Sequence, residues 1–178
     1  MCIRDSFTSS PTTGPVLYTH VFTIQGSYSY DCSVGSHAQN GMVGSLIVNS
    51  LPLNTYVPDN NFENYLEANG MGDGIPLNDS VLTSNVNNVT SLNVQNLSIS
   101  NLTGIEDFLS LETLYCENNQ LTNLDVSSNT NLKTLFSAHN NLTSLDITSN
   151  TLLTDLRIDY NQLSNLDVSQ NIALKVLS

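Results

Sequence analysis

"LETLYCENNQLTNLDVSSNTN", residues 111–131, runs directly into "LKTLFSAHNNLTSLDITSNTL", residues 132–152, then "LTDLRIDYNQLSNLDVSQNIA", residues 153–173, and a further copy opens with "LKVLS" at 174–178. The period is 21 residues: Leu111, Leu132, Leu153 and Leu174 share a register, as do Leu114, Leu135, Leu156 and Leu177. Self-similarity at a fixed period of about 20–50 residues is the signature of a solenoid built from stacked supersecondary units. A single copy cannot stand alone, because ordering its backbone costs about 1–2 kcal/mol per residue, more than its own few leucines return on burial. Neighbouring copies supply the missing burial and inter-strand hydrogen bonds, so stability is shared along the array.

The repeated pattern L-x-x-L-x-[CSI]-x-x-N-x-L resembles the leucine-rich repeat over residues 81–178, with "VTSLNVQNLSIS" at 89–100 as a divergent earlier copy. The resemblance implies one strand per copy in a solenoid whose non-leucine strand positions face outward on a concave wall. On that wall Tyr115, Phe136 and Arg157 form one column, Glu117, Ala138 and Asp159 the next, and Asn118, His139 and Tyr160 a third. Aromatic side chains and Arg are the types favoured at interface hot spots, so this wall is the expected binding face for a protein or glycan ligand. Asn119, Asn140 and Asn161 recur at the turn, where an amide can satisfy backbone groups that a bend leaves unpaired, and form the expected structural ladder. Cys116 fills a slot taken by Ser137 and Ile158 in the later copies, so a small buried core residue is expected there. Asp125, Asp146 and Asp167 also stack; turn capping is the expected role and a calcium ladder the alternative.

Ahead of the repeats, "VPDNNFENYLEANG" at 57–70 predicts a short amphipathic helix, with Pro58 and Asp59 at its start, Phe62, Tyr65 and Leu66 on one face, and Gly70 as its stop. Residues 58–80 are read as a helical cap on the N-terminal end of the repeat domain. Nothing in the sequence matches a cap at the other end, and the repeat stops partway through at Ser178, as in a fragment.

"GSYSYDCSVGSHAQNGMVGSLIVN", residues 26–49, follows different rules. Alternating, β-branched and aromatic residues precede it, Gly26 marks a turn, and an apolar run follows Gly41, so two strands are expected around an eleven-residue loop from Cys32 to Met42. A thiolate, an imidazole and a thioether are a ligand set suited to copper. Cys32, His37 and Met42, with the flanking glycines and strands, resemble the C-terminal ligand loop of cupredoxins, the plastocyanin-like blue copper domains. That likeness implies a partial Greek-key β-sandwich over 14–49, copper bound by Cys32, His37 and Met42, and a possible redox partner. The family's remaining His comes from an upstream strand with no counterpart here; His20 lies where the family has no ligand. Residues 50–57 are read as a linker, and 1–13, opening "MCIRDS", as unstructured or artefactual.

The fold expected is thus mainly β: a partial cupredoxin-like sandwich followed by a leucine-rich-repeat solenoid with a short cap helix. Composition narrows the partners. A formal charge of −12, with only four Lys plus Arg in 178 residues, repels nucleic acid. No run of about 18 apolar residues exists to span a membrane. Cys2, Cys32 and Cys116 are odd in number and unrelated in spacing, which proposes no disulfide framework. His20, His37 and His139 are scattered, and neither a nucleophile elbow nor a phosphate-cradling glycine run occurs, so no enzyme is expected. The combination resembles large extracellular proteins of Bacteroidetes-type bacteria, implying an extracellular, cell-surface or periplasmic interaction protein. An electron-transfer copper protein positioned by its repeats is the alternative.

Overall fold

The structure, a computed structural model, describes residues 53–178 and, by backbone alone, two strands nearer the N-terminus. The chain divides into two units, Met1–Leu51 and Pro52–Ser178. In the first, β1 (Gly26–Asp31) pairs antiparallel with β2 (Val43–Val48), from Gly26 opposite Val48 to Asp31 opposite Val43. Gly26, expected to mark a turn, is instead the first paired residue of a strand. Cys32, His37, Met42 and His20 lie outside the described residues, and the Greek-key sandwich expected over 14–49 is represented among them by this one hairpin.

The second unit is built on a parallel sheet in strict chain order: β5 (Ser91–Asn93), β6 (Thr113–Tyr115), β7 (Thr134–Phe136), β8 (Asp155–Arg157) and β9 (Val176–Leu177). The register is set by leucine. Leu92 pairs with Leu114, Leu114 with Leu135, Leu135 with Leu156 and Leu156 with Leu177. Strand side chains alternate, so the middle leucine of each three-residue strand points inward while its neighbours point out. Leu114, Leu135 and Leu156 are accordingly fully buried, and only Leu177, on the last strand, is 52% exposed.

Backbone pairing outlasts the strands: Ser137 N donates to Arg157 O at 2.7 Å and His139 N to Asp159 O at 3.0 Å. Asn96, Asn118, His139 and Tyr160 then turn the chain with φ of 60°, 56°, 56° and 55°. The rest of each copy returns without forming a strand, laying Leu121, Leu124 and Val126, or Leu142, Leu145 and Ile147, into the same core as the strand leucines. Cys116 is fully buried in that core, where desolvation and the charge of Glu117 push its thiol far above the usual range, so it is held as an unreactive thiol.

Helix α1 (Asn60–Ala68) starts where Asp59 caps it: Asp59 Oδ1 accepts from the N–H groups of Asn61 at 3.0 Å and Phe62 at 3.1 Å. Phe62 and Leu66 are fully buried in the cluster that also holds the strand leucines, and Phe62 stacks on Phe108 at 6.3 Å. The other oxygen of Asp59 accepts from Ser100 N and Ser100 Oγ, each at 2.8 Å, and from Asn101 N at 3.1 Å. Around the helix, β3 (Asn54–Tyr56) pairs antiparallel with β4 (Ser80–Leu82), which leads into the one-turn α2 (Thr83–Val86). The fully buried Glu63 carboxylate accepts from the N–H groups of Asn78 at 2.8 Å and Asp79 at 3.3 Å, fixing the connection from α1 to β4.

Candidate binding surface on the repeat sheet

Because alternate strand residues face away from the core, the outer surface of β5–β9 is a grid whose rows are strands and whose columns are repeat positions. The column predicted from sequence is continuous: Asn93 lies beside Tyr115, Tyr115 beside Phe136 and Phe136 beside Arg157. The side chains follow the backbone register. The Tyr115 and Phe136 rings are 5.2 Å apart and tilted by 58°, and the Arg157 guanidinium lies 4.3 Å from the centre of the Phe136 ring. Such cation–π and tilted aromatic contacts are favourable but leave one side of the stack facing solvent.

The next column differs from expectation at one position. Glu117 and Asp159 are partly exposed, whereas Ala138 between them is only 5% exposed. Its single methyl is covered by its neighbours and presents no contact group of its own. Gln95 begins this column and its amide donates to a Glu117 carboxylate oxygen. Burial raises the pKa of Glu117 most, with Asp159 adding to the rise and Arg157 and His139 opposing it, so all four groups share one electrostatic neighbourhood.

The third column, Asn118, His139 and Tyr160, is exposed at the left-handed turn closing each row. His139 and Tyr160 stack face to face, 4.2 Å apart and within 8° of parallel, with Tyr160 73% exposed. The reading of the wall omitted its first column, Thr113, Thr134 and Asp155, two residues before the aromatic one and half-buried on the outer side. The signal was present in the second variable position of L-x-x-L, since positions two apart on a strand share a face.

Asn119, Asn140 and Asn161 sit under the turn. Asn140 Nδ2 donates to Cys116 O at 3.0 Å and Ser137 O at 3.1 Å, and its Oδ1 accepts from Leu121 N at 3.0 Å, so one side chain ties two adjacent copies. Asn119 and Asn161 repeat the arrangement, donating to Val94 O at 2.7 Å and Ser137 O at 2.9 Å. A second ladder, unrecognised in the sequence, runs along Asn129, Asn150 and Asn171. Asn150 Nδ2 donates to Val126 O at 3.0 Å and Asn129 O at 2.9 Å, and Asn171 Nδ2 to Ile147 O and Asn150 O, each at 2.9 Å.

The carboxylates of Asp125, Asp146 and Asp167 accept from the N–H two residues on, at 2.9, 2.9 and 2.8 Å. Hydrogen bonds from Ser127, Thr148 and Ser169 lower their pKa values, so the column consists of ionised, locally capped turns. Among the described residues no group of three or more His, Cys, Asp or Glu side chains is arranged to hold a metal ion. Cys32, His37 and Met42, a donor set that fits copper by chemical type, fall in the sequence between the paired residues Asp31 and Val43 and lie outside the described residues. Among those residues, too, no helix is long and apolar enough to cross a membrane.

No family model matches the chain. Internalin J of Listeria monocytogenes is 40% identical over 77 residues, 43% of this chain, and the match spans 8% of that protein. Among solved structures, the functional domain of InlJ from L. monocytogenes, described as including a cysteine ladder, superposes with a TM-score of 0.64 at 37% identity, over 73% of this chain and 29% of that one. An internalin, inlF, from the same species superposes with a TM-score of 0.59 at 20% identity over 68% of this chain and 43% of that one, a likeness of fold alone. The chain therefore spans a small part of the relatives it matches, and none of these comparisons supports a cupredoxin domain. The rung-by-rung leucine register and the agreement with InlJ together identify an internalin-like leucine-rich repeat fold.

Proposed function

We propose that the outer face of β5–β8 binds a protein ligand and that the chain acts as a secreted or cell-surface interaction protein. The observation that carries this reading is the column Tyr115, Phe136 and Arg157, three side chains of hot-spot type held edge to edge on a solvent-facing sheet. Likeness to an internalin supports the reading, because it favours a repeat domain used for recognition. Helix α1 serves as the cap on the first rungs, since it buries Phe62 and Leu66 in the repeat core. Peptides selected on the full chain from a displayed random library test the assignment. Tyr115→Ala and Phe136→Ala, each with an unchanged unfolding midpoint, are expected to weaken the selected peptides about tenfold or more. Undiminished binding by the double variant overturns it.

A second reading is an electron-transfer copper protein with a redox partner, supported by the donor types of Cys32, His37 and Met42, which fall in the sequence between the paired residues Asp31 and Val43. Copper there would supply one-electron chemistry. Because the family's remaining His has no counterpart here, Cu(II) is expected to bind the chain weakly through Cys32, with thiolate-to-copper absorption lost in Cys32→Ser; absorption unchanged in that variant excludes the reading.

A further inference from the structure

Asparagine carries the buried polar contacts of this fold, yet its side-chain amide is also easily lost in water, through attack on it by the next backbone nitrogen. The ladder positions are shielded from that loss. Asn119, Asn129, Asn140, Asn150 and Asn171 are buried and their amides donate to carbonyls. Gln, Thr, Asn, Thr and Ile follow them, and each of those side chains crowds the approach of the attacking nitrogen. Among the described residues one asparagine is followed by glycine, and that is Asn69.

Asn69 closes α1 and is exposed together with Gly70. The chain leaves the helix through Gly70 at φ 73°, and the Met71 N–H returns to Leu66 O at 2.9 Å, the closing bond of a glycine-terminated helix. Gly70 N–H makes a longer bond, 3.3 Å to Glu67 O, and a Cβ placed on Gly70 would meet no atom within 4 Å. The attacking nitrogen is therefore lightly held, without a side chain and in open space. Two features restrain it. The Asn69 amide donates from Nδ2 to Tyr65 O at 2.7 Å, and ψ at Asn69 is 15°, whereas ring closure needs Gly70 N to eclipse Cβ. Attack thus requires the last turn of α1 to open, a local fluctuation to which helix ends are far more prone than the buried rungs.

We propose that Asn69 is a site of spontaneous modification, and that the change loosens the C-terminal end of the cap helix. Gly70 N attacks Asn69 Cγ; the N–Cγ bond forms, the Cγ–Nδ2 bond breaks, and Nδ2 leaves as ammonia with the proton given up by Gly70 N. Water then opens the cyclic imide at either carbonyl, leaving an aspartate or an isoaspartate at position 69. Both products replace the Nδ2 donor with a carboxylate, set against Tyr65 O at the negative end of the helix dipole. Isoaspartate also lengthens the main chain ahead of Gly70, which pulls the Met71 N–H away from Leu66 O while the Met71 side chain packs against the repeat core.

The test is peptide mapping of the full chain after incubation at mildly alkaline pH, with the mass change from amide to carboxylate read at each asparagine and isoaspartate detected by enzymatic methylation. Asn40, which Gly41 follows, lies outside the described residues and is read in a separate peptide. Asn69 is expected to convert in the folded chain before every other asparagine of residues 53–178. Earlier conversion of another of these, or an Asn69 that converts in urea but stays intact in the folded chain, overturns the proposal. Asn69→Asp and the purified isoaspartate form are expected to exchange the Gly70 and Met71 amide hydrogens faster than the unmodified chain. Unchanged exchange in both forms overturns the loosening.

Discussion

At the residue scale, the asparagines bear on stability more directly than the leucines suggest, because successive amides share backbone carbonyls and so link each copy to the next. Asn140 is buried and bonds Cys116 O, Ser137 O and Leu121 N across two copies. Asn140→Ala leaves the Leu121 N–H unpaired and takes one of two amide donors from Cys116 O and from Ser137 O, so a loss of about 1–3 kcal/mol is expected, read as a lower urea midpoint at unchanged m-value. Asn161→Ala, at a half-buried position nearer the open end of the sheet, is expected to cost less. The first ladder was legible because its asparagines stand at a fixed offset from the strand. The Asn129, Asn150 and Asn171 ladder has the same period, yet in a sequence so rich in Asn, Ser and Thr only its burial separates it from ordinary turn residues. Ala138 teaches the complementary lesson: its column position was readable, but its burial beneath its neighbours was not.

At the element scale, a carboxylate ties α1 to the repeats and a glycine lets the repeat chain pass close to β3. Asp59 caps the helix and holds Ser100 and Asn101 at the same time. Its burial alone would raise its pKa, but hydrogen bonds from Ser100, Phe62 and Asn101 together hold it below 3.8. A lowered folded-state pKa contributes stability that is present above the unfolded value and is lost as pH falls through the folded one. Asp59→Asn, which turns one acceptor into a donor facing N–H groups, is therefore expected to cost about 1–3 kcal/mol near neutral pH. The gap between wild type and variant should close as denaturation is repeated at pH values falling below 3.8. Gly104 holds φ at 104°, and a Cβ there would lie 2.8 Å from Tyr56 O and 2.9 Å from Val57 Cγ2. Gly104→Ala combines left-handed strain with a backbone clash, so a loss of about 2 kcal/mol or more is expected in the same unfolding measurement. The helix start and the buried face of α1 were legible from Pro58, Asp59, Phe62 and Leu66. The tie to Ser100 was not, because it joins residues 41 positions apart.

At the scale of the whole molecule, what governs the repeat unit is how many neighbours each rung has. Leu135 is fully buried between Leu114 and Leu156, so Leu135→Ala is expected to cost about 2–5 kcal/mol, whereas the half-exposed Leu177 pairs on one side only and Leu177→Ala should change the urea midpoint little. Equal effects would mean that the array does not share its stability by nearest neighbours.

The sequence by itself determined the period, the leucine register and the column of Tyr115, Phe136 and Arg157, because a repeat that stacks on itself turns spacing along the chain directly into adjacency in space. It also located two strands around the connection bearing Cys32, His37 and Met42, though not the arrangement of those side chains. Tertiary structure alone decided which of the many asparagines are buried, that Asp59 reaches Ser100, and that Ala138 lies buried between Glu117 and Asp159. Those properties depend on packing depth and on contacts between residues far apart in the chain, and neither is written in residue order.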